Sequence, residues 1–148
     1  MSEDIFVCSY SEISHRHAIL EDDGQTAWLY LHEPSPDPQR SGEVEADCFA
    51  YNRCQPIEVK DVQKYRPGPP PIAKGYASDR AVCRKPDVHE WRLIWSKNGE
   101  SVVLMRDGDC WCFITPDSPR GHSKAIRAEG PWGSPWSDDL YERIEWNG

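Results

Sequence analysis

WRLIWSKNGESVVLMRDGDCWCFI, residues 91–114, decides the fold. Three runs rich in Trp, Val, Leu and Ile are separated by KNGE and by DG. Asn98-Gly99 and Asp107-Gly108 are dipeptides that tolerate the positive φ angles of a type I′ turn, so the stretch predicts three strands joined by two tight hairpins. Two-residue loops set the register. Across the first turn Trp95 should face Val102, Ile94 should face Val103 and Leu93 should face Leu104. Across the second, Met105 should face Cys110, Leu104 should face Trp111 and Val103 should face Cys112. One face then carries Trp91, Leu93, Trp95, Val102, Leu104, Trp111 and Phe113. The other carries Arg92, Ile94, Val103, Met105, Cys110, Cys112 and Ile114. Both are mostly apolar, whereas a sheet wetted on one side alternates apolar with polar, so this meander should be covered on both faces.

Working outward, a related pattern precedes it. HAILE, a turn at Asp23-Gly24 and TAWLYLH read as a hairpin, and DCFAY (47–51) matches DCWCF (109–113). Aligning Gly24 with Gly99 sets QTAWLYL against ESVVLMR, which suggests a duplicated meander whose second connection is lengthened to LHEPSPDPQRSGEVEA. The fold class predicted is mainly β (α+β): two three-stranded antiparallel meanders forming one sheet or a sandwich, with a short C-terminal helix. One domain should span 1–148, with the first meander over about 16–53 and a Pro-rich connection over about 55–75. The second meander takes about 91–114, and a C-terminal strand and helix take 120–146. The run RPGPPP (66–71) cannot lie inside a sheet and favours extended polyproline geometry. It reads either as a stiff surface connection or as a ligand for a proline-recognising domain. YASDRAVCRK (76–85) could add an edge strand, and Arg120–Arg127 another. Ser137 suits a helix N-cap, with Asp138 and Asp139 in the first turn, where acids complement the helix dipole, and with Leu140, Tyr141 and Ile144 on one side.

Composition narrows the functional classes. Thirteen Pro and ten Gly in 148 residues disfavour long helices, and seven Trp, six Tyr and three Phe supply bulky core material. No run of 18 apolar residues occurs, so no membrane span is expected, and the N-terminus lacks the basic head and apolar stretch of a secretion signal; a cytoplasmic location follows. Net charge is −8, spread unevenly: −9 over residues 1–50, +5 over 51–97 and −4 over 98–148. An acidic surface repels phosphate backbones, so nucleic acid is not an expected partner, whereas a basic protein is.

The six cysteines should be reduced thiols buried as small hydrophobes. Cys110-x-Cys112 would place two thiols on one strand face, with Cys48 at the equivalent place in the first copy, and His15-x-His17 offers two imidazoles. Zinc sites instead show close pairs on loops, and no metal or other cofactor is expected. His122 and Ser123 are adjacent, and neighbours on a strand point to opposite faces, so they cannot act as a pair. No nucleophile elbow and no Gly-rich phosphate loop is present, and no catalytic residue is assigned.

Two candidate sites remain. Glu33, Asp37, Glu43, Glu45 and Asp47 cluster in and beside the long connection with Arg40 as the only basic residue, a set suited to plugging a basic cleft or imitating a nucleic acid. Trp132 and Trp136 flank a Gly-Ser-Pro turn. They either present exposed rings to a small molecule or carbohydrate, or pin the turn to the sheet.

The blocks EDDGQTAWLYL (21–31) and 91–114 resemble small bacterial domains of unknown function. Their shared look is an acidic Asp-Gly hairpin with an aromatic strand, then W-S-x-x-G and a strand ending in a second tight turn. The resemblance covers 35 of the 148 residues, implies a bacterial cytoplasmic protein and carries over no active site. In size, acidity and aromatic content the chain is also similar to immunity proteins, the small acidic antidotes encoded beside bacterial toxins. That likeness implies a non-enzymatic protein-binding module of the inhibitor type.

Overall fold

A computed structural model describes residues 4–147. It contains nine strands: β1 (Ile5–Tyr10), β2 (His17–Asp22), β3 (Thr26–His32), β4 (Val44–Asn52), β5 (Trp91–Trp95), β6 (Val102–Arg106), β7 (Asp109–Ile114), β8 (His122–Ser123) and β9 (Ser134–Pro135). Two 3₁₀ turns, Val59–Tyr65 and Val88–Glu90, and one short helix, α1 (Asp138–Glu142), complete it. The strands form two sheets, β1-β2-β3-β4 and β5-β6-β7-β8-β9. The protein is therefore mainly β, with each expected meander as the antiparallel centre of its own sheet. β1 was not anticipated: IFVCSY is an apolar-rich edge segment without clean alternation. Among the described residues, no helix is long and apolar enough to cross a membrane.

The sheets pack face to face around one buried cluster. Ala18, Leu20, Leu29, Leu31, Cys48 and Tyr51 come from the first sheet, and Trp91, Trp95, Val102, Leu104, Trp111 and Ile114 from the second. Aromatic rings connect them: Tyr51 stacks on Trp91 at 5.0 Å, and Trp91 meets Trp111 edge-on at 5.6 Å. The Arg106 guanidinium lies 5.4 Å from the centroids of both tryptophans. Of the three indoles in this core, Trp95 and Trp111 find acceptors for their N–H groups and Trp91 does not. Trp111 donates to the Ala50 carbonyl at 2.7 Å and Trp95 to Ser9 Oγ at 2.9 Å, and both bonds cross from sheet to sheet.

The β5–β6 register is the one the sequence predicts, with Trp95 opposite Val102, Ile94 opposite Val103 and Leu93 opposite Leu104. The β6–β7 register is not. Met105 does face Cys110, but Leu104 faces Cys112 and Val103 faces Phe113, because a bulge at Trp111 adds one residue to β7. The slip exchanges faces: Cys112 and Ile114 turn into the sandwich beside Trp111, and Phe113 turns outward. Cys110 and Cys112 thus part company; Cys110 Sγ meets Tyr141 Oη at 3.1 Å on the outer side while Cys112 is fully buried in the core.

The turns also divide. Asp107 and Gly108 both have positive φ (48° and 88°), as a type I′ turn requires, but at Asn98-Gly99 only Gly99 does (73°), within a wider loop closed between Ser96 and Ser101. Asn98 Oδ1 accepts instead from Glu100 N, a local side-chain turn that competes with the tighter form.

Both outer faces receive cover. On the second sheet the C-terminal segment wraps Phe113, which contacts Trp136 at 5.0 Å, Tyr141 at 5.7 Å and Trp146 at 6.3 Å. Ser137 Oγ caps α1 by accepting from Leu140 N, as expected; the helix stops at Glu142, and Leu140 faces solvent at 38% exposure instead of the sheet. Residues 76–85 form no strand. Around Val82 they make one bridge to Asn52, whose backbone N–H and carbonyl bond to Ala81 and Cys83. The expected strand over Arg120–Arg127 is reduced to His122–Ser123. On the first sheet, Ile72, Ala73, Ala81, Ala125, Ile126 and Trp132 pack over Trp28 and Phe49. The Pro-rich connection thus crosses the outer face of that sheet. Its remaining half is open.

Candidate functional site

Inward residues of β3 alternate with outward ones, so Trp28, Tyr30 and His32 lie on the outer face while Ala27, Leu29 and Leu31 fill the core. Pairing aligns Cys8, Ile19, Tyr30 and Asp47 in one row across all four strands, with Phe6, Glu21 and Trp28 in the row beside it. Phe6 is 59% and Val44 49% exposed, large values for apolar side chains on a sheet. Beside Val44 lies a shallow depression of about 220 Å³ lined by Ile19, Glu21, Tyr30, His32 and Val44, and Phe6 stands opposite Glu21 on the neighbouring strand. Burial pushes the Tyr30 phenol well above its ordinary range, and the carboxylates of Glu21, Asp47 and Asp23 push it the same way. It stays protonated as a hydrogen-bond donor.

The five acids divide into two groups. A bulge at Glu45 lies between the pairs Leu31–Ala46 and His32–Val44. It aims Glu45 at Arg16, whose buried guanidinium also holds Glu100 Oε1 at 3.0 Å and the His32 carbonyl at 3.1 Å. Burial alone would lower the Arg16 pKa, but the hydrogen bond to Glu45 and the charges of both glutamates outweigh it and raise it. Asp47 is paired with Arg120, which arrives from the segment before β8. Burial nevertheless holds the Asp47 carboxyl above the ordinary carboxylate range, because the Arg120 contact only partly offsets it. Glu33, Asp37 and Glu43 are exposed and take part in no ion pair among the described residues. Glu33 and Glu43 are held together at the neck of the loop by a 2.7 Å backbone bond, and Asp37 Oδ1 accepts from Gln39 N at 2.9 Å.

The tryptophan pair also separates. Trp132 is only 3% exposed, lies 5.1 Å from Tyr76 and donates to the Pro70 carbonyl at 3.1 Å. It pins the C-terminal turn under the Pro-rich connection, and its rings are not available to a ligand. Trp136 is half-buried, with the Lys124 ammonium 4.8 Å from its ring centroid and its N–H on Asp138. His15 and His17 face different partners, Tyr10 Oη at 2.8 Å and the Pro38 carbonyl at 2.9 Å. Among the described residues, no three His, Cys, Asp or Glu side chains converge in a way that could hold a metal ion. Phe6, Ile19, Tyr30 and Val44 are the surface features that sequence reasoning missed. The signal was faint: His17–Glu21 contains apolar residues on both faces of β2, and only the loss of cover over half the sheet exposes Ile19.

Comparison with protein-family models, with curated proteins and with solved structures finds no match to this chain.

Proposed function

We propose that the protein is a bacterial, cytoplasmic protein-binding module of the inhibitor type, whose docking surface is the long β3–β4 connection and the open half of the outer face beside it. The observation that carries this reading is the division among the acids. Glu45 and Asp47 have arginine partners within the chain, whereas Glu33, Asp37 and Glu43 lie exposed in and beside the loop with no ion pair among the described residues, which leaves them available to a partner. Val44 follows them directly, so the acids border an apolar surface that continues through Ile19 and Tyr30 to Phe6. An apolar centre with a charged rim is the usual anatomy of a specific protein interface, and acids on the rim select a basic partner and speed its approach. Replacing Glu33, Asp37 and Glu43 together by Ser should weaken binding to the natural partner and flatten its salt dependence. Replacing Asp138, Asp139 and Glu142 on α1 changes the net charge equally and should leave both unchanged. Equal effects from the two triple variants would reduce the acidic loop to a contribution of bulk charge.

A further inference from the structure

The backbone of β1 is paired on one side only. Ser11 N donates to the Arg16 carbonyl at 2.9 Å and continues the β1–β2 ladder. Alternation along that ladder turns the N–H and carbonyl groups of Ile5, Val7 and Ser9 toward β2, and those of Phe6, Cys8 and Tyr10 away from the sheet. Among the described residues, no hydrogen bond reaches those outward backbone groups. The opposite edge of the same sheet is occupied: Asp47 N donates to the Pro119 carbonyl, Phe49 N to the Trp132 carbonyl and Asn52 N to the Ala81 carbonyl. The β5 edge of the second sheet is tied at its ends, by Trp91 N to the Val88 carbonyl and by Asn147 N to the Trp95 carbonyl. We propose that β1 accepts an extended, basic segment of the partner as an added strand, a step that rests on the protein-binding reading above and gives it a mode of recognition.

Three observations favour that occupant. Exposed sheet edges are ordinarily guarded by a charge, a proline or a bulge, and β1 has none of these. Ile5–Tyr10 is uncharged, lacks proline and pairs with β2 through six consecutive residues without a break. Its outward side chains are accessible and continue the apolar outer face, because the exposed Cys8 lies in one row with Ile19 and Tyr30. The charge beside the edge is of one sign. Asp4, Glu12 and Glu21 are exposed around β1, and residues 4–14 contain no lysine or arginine. A lysine or arginine on an added strand would meet a carboxylate at either end of β1 and another opposite Phe6. A second copy of this chain fits less well. Antiparallel pairing about Cys8 would bring Asp4 of one strand near Glu12 of the other at both ends, between two chains of net charge −8.

The test is a titration of the whole chain, labelled with ¹⁵N, with a capped peptide of alternating lysine and valine as long as β1. The same peptide with backbone N-methyl groups keeps the charge and loses the donors, and a glutamate–valine peptide reverses the charge. The expected result is a saturable shift of the Phe6, Cys8 and Tyr10 amide resonances, with slower hydrogen exchange at all three, from the unmethylated lysine peptide alone. Cys8→Lys, a change at an exposed side chain, places a like charge on the edge and should weaken binding about tenfold. No saturable shift, equal shifts from the N-methylated or the acidic peptide, or unchanged binding in Cys8→Lys would each overturn the added strand. Concentration-dependent protection of the three amides without peptide would also overturn it and assign the edge to a second copy. Shifts confined to residues 33–43 would overturn it while leaving the acidic loop as the docking surface. Shifts at β1 that persist when Glu33, Asp37 and Glu43 are replaced by Ser would uphold the added strand independently of the loop.

Discussion

Asp22 is a carboxylate with 0% exposure on the core side of β2, and its position rests on its partners. Tyr51 Oη donates to Oδ2 at 2.5 Å, Arg53 Nε donates to both oxygens at 3.1 and 2.9 Å, and the Gly24 N–H donates at 2.8 Å. A buried charge is tolerated only when paired and hydrogen-bonded in this way. The same contacts push the Tyr51 phenol far above its ordinary range, with burial as the first cause and Asp22 as the second. Tyr51→Phe keeps the ring stacked on Trp91 and removes only the donor, so it should cost about 1–3 kcal/mol in denaturant unfolding. Asp47 presents the opposite case. Its folded-state pKa lies above its ordinary 3.8, so the folded chain holds that proton more tightly than the unfolded chain. Ionising Asp47 therefore costs folding free energy, and its contribution falls as pH rises through the window above 3.8. Asp47→Asn should then unfold at or above the wild-type temperature at neutral pH, and the difference should shrink as pH falls toward that window. A clear loss of stability at neutral pH would show that the Arg120 pair outweighs the burial.

Among the elements, the two hairpins of the second meander show what local chemistry can and cannot specify. Asp107-Gly108 formed the turn its dipeptide favours, and the β5–β6 register followed the loop length. The Trp111 bulge was not legible, because it arises from a tertiary demand: the indole must reach the Ala50 carbonyl of the opposite sheet, and an extra residue in β7 brings it there. The same holds for Glu45, where a bulge serves an arginine 29 positions earlier in the chain. Alternation therefore revealed the strands and their buried character, while the faces of β7 and the free or paired state of each acid depended on contacts distant in sequence. β8 makes a further element-scale point. A Cβ at Gly121, the residue that leads into β8, would lie 2.5 Å from the Phe113 carbonyl oxygen and 2.8 Å from Cys48 Cβ, so the chain enters β8 only without a side chain there. Gly121→Ala should cost about 2–4 kcal/mol in thermal or denaturant unfolding. Gly108→Ala has open space around it and only its positive φ to oppose it, so about 1–2 kcal/mol is expected. Equal costs at the two sites would remove the steric account of β8.

At the scale of the molecule, charge and cover are both asymmetric. The C-terminal aromatics cover the outer face of the second sheet around Phe113 and leave a depression of about 390 Å³ lined by Arg92, Ile94 and Met105, while the first sheet is closed where the Pro-rich connection and Trp132 cross it. The open half adjoins the loop whose three exposed acids form no ion pair among the described residues, and the first 50 residues carry a net charge of −9. This juxtaposition underlies the protein-binding reading, and a sequence alone could supply only its charge half. The most direct test is native mass spectrometry of the tagged chain captured gently from its host, at low and at raised salt, beside the Glu33→Ser, Asp37→Ser, Glu43→Ser triple variant. The account predicts a stoichiometric complex with a basic protein that dissociates as salt rises and is lost or weakened in the variant. A bare chain mass at low salt, or a partner held equally well by the variant at every salt concentration, would contradict it.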